Sequence, residues 1–165
     1  MERPSLSGKL AILRKCLQDG EQLFINIYTD GASRENPGES ASGYSIFDKD
    51  GNELFSIAFY NGIQTNNAAE YLAVIAALTK VAELYGYDND IRAYTDSVLV
   101  ARQISGKYKT KNSNLRKLNL KATELAAKFK SFIISNVPRE TENIAKVDAE
   151  LNRLLDEMHE SRVLR

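Results

Sequence analysis

The stretch LFINIYTDGASRENPGESASGYSIFDKDGNELFSIAFYNGIQTNNAAEYLAVIAALTKVAEL, residues 23–84, decides the fold, because its apolar period changes partway along it. From Leu23 to Thr29 the chain is rich in Phe, Ile and Tyr, and this strand is expected to stop at Asp30-Gly31. A second strand is expected near Ser42 to Phe47. Asp50-Gly51 is a hairpin dipeptide, and beyond it Phe55, Ile57 and Phe59 alternate with Ser56, Ala58 and Tyr60. These features predict an antiparallel meander with one face buried. At Thr65 the spacing becomes helical. Thr65 or Asn66 can cap a helix whose core face is Tyr71, Val74, Ile75, Leu78, Val81 and Ala82, and Gly86 closes it.

The rest of the chain alternates strands with helices. Ile91 to Thr95 is a short strand, followed at once by Asp96-Ser97 and a helix carrying Val98, Leu99 and Ile104 that ends at Gly106. A third helix is expected from about Asn114 to Phe129, a fifth strand from Phe132 to Val137, and a last helix from near Ile144 to His159. A meander followed by strand–helix–strand–helix–strand predicts an α/β fold: a five-stranded mixed sheet flanked by helices, parallel in its second half. A right-handed crossover would set the strand ending at Asp96 beside the strand ending at Asp30. Upstream, Leu6, Leu10, Leu13 and Leu17 recur at three- and four-residue spacing, which predicts an amphipathic helix over 5–18. The chain therefore divides into a helical extension, 1–22, and one domain, 23–165. The leucine stripe could pack on that domain or on a second copy, so a monomer is expected, with a dimer through the extension as the alternative.

Composition narrows the function. Twenty-two Lys and Arg balance 22 Asp and Glu, so a uniformly basic nucleic-acid coat is excluded and any electrostatic function depends on where the charges lie. Cys16 and His159 are the only residues of their kinds, which excludes an intrachain disulfide and any multi-histidine or thiolate zinc site. No apolar run approaches the roughly 18–20 residues of a membrane span, and residues 1–20 lack a signal-peptide core. The expectation is a soluble cytoplasmic protein with no membrane partner.

Three acidic residues occupy unusual places. Asp30 and Asp96 each follow an apolar strand, where ligands of open α/β sheets bind, and Glu70 lies about one turn into a strongly amphipathic helix. Singly, each has an ordinary explanation: Asp-Gly as a turn, Asp96-Ser97 as a helix cap, Glu70 as a partner of the helix dipole. Together they would crowd three like charges, which opposes folding unless a cation compensates. Hard oxygen ligands without histidine or thiolate suit Mg²⁺ or Mn²⁺. Asp148 is a fourth candidate. It sits about 100° from the stripe of Val147, Leu151, Leu154 and Met158, at the edge of the buried face of the last helix.

Tyr28-Thr29-Asp30-Gly31 with Asn36-Pro37-Gly38, then Thr65-Asn66-Asn67-Ala68-Ala69-Glu70, then Thr95-Asp96-Ser97, resemble the successive motifs of type 1 ribonuclease H (ribonuclease HI). The segment 106–112 and the stretch from Val137-Pro138-Arg139-Glu140 to Asp148 extend the likeness over residues 23–156. The resemblance implies the ribonuclease H-like fold and an endonuclease that cuts the RNA strand of RNA–DNA hybrids, leaving 5′-phosphate and 3′-hydroxyl ends. It further implies two Mg²⁺ ions, with Mn²⁺ as a substitute: Asp30 bridging both, Glu70 and Asp96 completing one site, Asp148 the other. Asn36, Asn66 and Asn67 match positions that contact the hybrid strands, and Thr65 matches a phosphate contact on the DNA strand.

Two departures stand out. The loop Ser135–Glu140 lacks the histidine that many family members carry there, which leaves Glu140 and Glu142 as candidate mobile acids. The spacing from Asn143 to Asp148 is one residue longer than usual, with Val147 where alanine is expected. Finally, residues 102–130 hold nine basic side chains against Glu124 alone. This is either a solvated helix face or a phosphate-contact strip led by Lys107, Lys109 and Lys111. Alternatives to a ribonuclease are a hybrid-binding module without catalysis, or another nuclease or integrase of the same fold.

Overall fold

The computed structural model describes residues 23–164, so the helix expected over 5–18 lies outside the described residues. The element order is β1 (Leu23–Ser33), β2 (Gly38–Phe47), β3 (Glu53–Gln64), α1 (Asn66–Tyr85), β4 (Asn89–Thr95), α2 (Val98–Ile104), α3 (Ser113–Ala127), β5 (Ser131–Asn136) and α4 (Glu142–Val163). The strands form one sheet in the order β3-β2-β1-β4-β5. β1 pairs antiparallel with β2 and parallel with β4, with Thr29 opposite Thr95, so the two aspartates that follow are brought side by side.

One expectation is corrected. β1 does not stop at Asp30-Gly31 but continues to Ser33, because Gly31, Ala32 and Ser33 pair with Ser42, Ala41 and Ser40. Asp30 thus projects from within a strand rather than from its end. Gly31 is required here for contact and not for a turn: a Cβ on it would lie 2.3 Å from the Ala69 carbonyl carbon and 2.5 Å from the Glu70 nitrogen. The bare backbone lets the start of α1 close onto β1. Ser42 fixes that approach by donating from Oγ to the Ala69 carbonyl at 2.6 Å.

The meander is also buried more than predicted. β2 is buried continuously from Ala41 to Ile46, since α1 covers one face and α4 the other. On the first face Ile25, Ile27, Ile46, Val74, Leu78, Val81 and Ile91 form the main core with the inner sides of α2 and α3. Tyr71, fully buried, ties three helices together there: its hydroxyl donates to Gln103 Oε1 at 2.8 Å and accepts from Asn119 Nδ2 at 3.1 Å. On the second face Val147, Leu151 and Leu155 pack over Ala41, Ala58 and Tyr60. The valine that departs from the family pattern is accommodated by Gly43, where a Cβ would lie 2.8 Å from Val147 Cγ1. Between the strands the hairpin forms as expected at Asp48–Asn52, with Asp48 Oδ1 accepting from the backbone N–H groups of Asp50 and Asn52.

Candidate active site and metal centre

Asp30, Glu70 and Asp96 converge at the end of the β1–β4 pair. Each offers a carboxylate oxygen, and these three oxygens all lie within 4.8 Å of one another. Asp30 and Glu70 are 3% and 8% exposed, so two of the charges have almost no access to bulk water. Three elements impose the arrangement: β1 carries Asp30, the close-packed start of α1 carries Glu70, and Asp96 follows the last residue of β4. The Thr95 hydroxyl donates to Glu70 Oε2 at 3.4 Å and accepts from Ser97 N–H at 3.1 Å, linking the glutamate to the turn that bears Asp96. Asn136, at the end of β5, donates to the Asp96 carbonyl at 3.1 Å from the other side.

The electrostatics follow from this crowding. Burial first, then the charges of Asp96 and Asp148, push the Asp30 carboxyl up to about 8. Burial, then Asp30 and Asp96, hold Glu70 well above the usual carboxylate range. Asp96 is also raised, burial outweighing the opposite pull of Arg139. Such a set is a cation site by its chemistry: hard, anionic oxygens, mutually repulsive and partly protonated unless a positive charge stands among them. A divalent ion fits these residues.

Asp148 is placed differently. It lines the same open pocket, of about 400 Å³, together with Asp30, Glu70, Asp96 and Asn66, but it is not one of the three converging carboxylates. Its Oδ1 accepts from Arg139 Nη2 at 3.0 Å and from Asn152 Nδ2 at 2.9 Å. Among the described residues Arg139 is the only cation lining that pocket. Sequence reasoning missed it as a site residue, although it sits in the loop where a histidine was sought. Glu140 and Glu142, the candidate mobile acids, are exposed and do not line the pocket; Glu142 instead pairs with Lys146 at 3.1 Å. Asn152 was missed too, although its place one helical turn beyond Asp148 on α4 marks it as a neighbour.

The residues expected to touch nucleic acid fall into two groups. Asn66 Oδ1 accepts from Ser33 N–H at 2.8 Å, which fastens this pocket-lining asparagine to the end of β1, and Asn36 Oδ1 accepts from Asn66 N–H at 3.1 Å beside it. Asn67 follows, half-buried, and Thr65 caps α1 by accepting from Ala68 N–H at 3.1 Å. Lys107, Lys109 and Lys111 are exposed on the segment between α2 and α3, outside the pocket. Arg116 steadies that segment by donating to the carbonyls of Thr110 and Lys111, both at 3.3 Å.

Residues 28–151 match a family described as reverse transcriptase-like. Ribonuclease HI of Halobacterium salinarum is 40% identical over 133 residues, which are 81% of this chain and 65% of that protein, so the chain spans about two thirds of that relative's length. The crystal structure of RNase H1 from Halobacterium salinarum superimposes with a TM-score of 0.76, covering 81% of this chain and 98% of that one at 40% identity. LC11-RNase H1, solved in complex with an RNA/DNA hybrid, gives a TM-score of 0.75 at 35% identity, covering 81% of this chain and 98% of that one. With the ordered motifs, the carboxylate cluster and the shared fold all agreeing, the chain belongs to the type 1 ribonuclease H family.

Proposed function

We propose that this chain is an endoribonuclease that hydrolyses the RNA strand of RNA–DNA hybrids, leaving 5′-phosphate and 3′-hydroxyl ends. The observation that carries the reading is the convergence of Asp30, Glu70 and Asp96 oxygens within 4.8 Å, with Asp30 and Glu70 buried. In this reading Asp30, Glu70, Asp96 and Asp148 would hold the metal, with Mg²⁺ as the natural occupant and Mn²⁺ as substitute. Divalent metal held there would supply an activated water and charge stabilisation of the leaving oxygen.

The chain's own groups do the rest. Thr95 holds Glu70, Asn136 holds the turn bearing Asp96, and Arg139 with Asn152 orients Asp148. Arg139 also places a positive charge beside the pocket, where an approaching phosphate needs one. The rim asparagines Asn36, Asn66 and Asn67 suit discrimination by the 2′-hydroxyl, since an amide can both donate to it and accept from it. Thr65 adds a neutral phosphate contact, and Lys107, Lys109 and Lys111 supply salt-dependent backbone attraction.

The test is incubation of the full chain with labelled RNA–DNA hybrid, duplex DNA and duplex RNA, with Mg²⁺ or EDTA. Cleavage confined to the hybrid's RNA strand, abolished by EDTA, is expected. Cutting of duplex DNA would point to another nuclease of this fold, and binding without cleavage to a non-catalytic hybrid-binding module.

A further inference from the structure

The second face of the sheet is only half covered. α4 lies over β3, β2 and the Ala32 end of β1, whereas β4 and β5, with the start of β1, have helices on their first face and none on their second among the described residues. Parallel strands are as a rule buried on both faces, so this half lacks a layer. What it presents is aromatic. Tyr28 stacks on Tyr94 with ring centroids 4.9 Å apart and meets Phe47 edge-on at 5.5 Å. Arg92 lies over the Phe24 ring at 4.8 Å, and beside it on β5 Ile133 is 58% exposed. These side chains belong to one face by the strand registers, which set Asn26 beside Phe47 and Arg92, and Tyr28 beside Tyr94.

We propose that residues 5–18 fold back as an amphipathic helix and seat the stripe Leu6, Leu10, Leu13 and Leu17 on this open aromatic half of the sheet. Connectivity favours the segment over any other occupant, because it is joined directly to β1, the strand that carries Phe24 and Tyr28. Size agrees. Fourteen helical residues span about 21 Å, and the patch measures roughly 14 Å across four strands and 13 Å along β1. Residues 19–22, extended, reach about 13–14 Å, enough to reverse the chain, and Gly20 suits a helix end there. At 100° per residue the four leucines fall within an arc of about 60°, and Lys9 and Arg14 flank it on opposite sides. Their aliphatic stems can extend the apolar contact while the charged heads stay in water. The docked helix would supply the missing layer and leave no leucine face for a second copy, so the chain would be a monomer.

Cys16 is the only cysteine and lies in the segment itself, which makes the test direct. A nitroxide spin label on Cys16 of the full chain is expected to erase the amide signals of Phe24, Tyr28, Tyr94 and Ile133 and to leave those of α3 intact. Adding Leu10→Glu and Leu13→Glu should restore the lost signals. In a mixture of spin-labelled chains with isotope-labelled Cys16→Ser chains, no loss is expected. Unbroadened signals at the four positions, broadening that survives the two glutamates, or loss between copies in the mixture would each overturn the proposal. The last of these would assign the face to a dimer.

Discussion

Asp148 and the trio of Asp30, Glu70 and Asp96 share one pocket yet are stabilised in opposite ways. The trio comes from rigid, close-packed elements, and among the described residues lining the pocket only Arg139, through its pull on Asp96 and Asp30, offsets their mutual repulsion. Asp148 stands on the edge of α4, half-buried, and has its own partners in Arg139 and Asn152. The chemistry of the trio therefore fits a metal, whereas Asp148 has protein partners of its own. Folding tolerates the first arrangement because Gly31, Ser42 and the β1–β4 pairing force it, at a cost that falls when a divalent ion binds.

The largest expected effect comes from removing the central carboxylate. Asp30→Asn should lower turnover of hybrid by on the order of 10³-fold or more, while circular dichroism shows the fold retained; activity within tenfold of the parent would mean that the trio is not the metal platform. Next comes stability without metal. A carboxyl raised to about 8 in the folded chain, from an ordinary value of 3.8, binds more protons folded than unfolded between those limits. Stability in EDTA should accordingly decline as pH rises from about 4 to 8, by on the order of a few kcal/mol. Chemical denaturation at pH 5 and pH 8 checks this, and the slope should flatten in Asp30→Asn and on adding Mg²⁺.

Smaller effects sharpen the contrast from the other side. Asp148→Asn should reduce turnover by about 10–100-fold, and Arg139→Ala by about tenfold, as expected of a group that orients a metal ligand. Asp148→Asn should only soften the pH dependence of metal-free stability, since it removes one of the charges that raise Asp30 but leaves its burial, the larger cause, in place. Near-normal turnover of Asp148→Asn would remove it from the site. Smallest at low salt should be the joint change of Lys107, Lys109 and Lys111 to Gln, seen as a shallower dependence of hybrid affinity on salt.

Much of this was legible in the sequence because it is local. The period-2 runs, the switch to helical spacing at Thr65, and the closing glycine Gly86, which has φ 71°, all report on neighbouring residues. Asp30, Glu70 and Asp96 could be singled out because their positions relative to strand and helix ends are local as well. The failures are long-range. The continuation of β1 past Gly31 depends on Ser40 to Ser42, and the double burial of β2 depends on a helix that begins nearly a hundred residues later. The extra turn of α4 beyond His159 carries a contact that a periodicity argument ignores, that of Arg162 with Glu39 on β2. Arg139 was hidden for a related reason. A permanent cation carries no local sign of a site in the sequence, and only its pairing with Asp148 identifies it.

Magnesium binding measured with its proton release is the most direct probe of the carboxylate trio. Isothermal titration of Mg²⁺ into the metal-free full chain at pH 7, repeated in two buffers of different ionisation enthalpy, separates binding heat from released protons. Because Asp30 and Glu70 are held above their ordinary values, binding should release protons, and the release should shrink in Asp30→Asn. Absence of binding heat, or binding whose heat is the same in both buffers, would contradict a buried carboxylate cluster that a divalent ion completes.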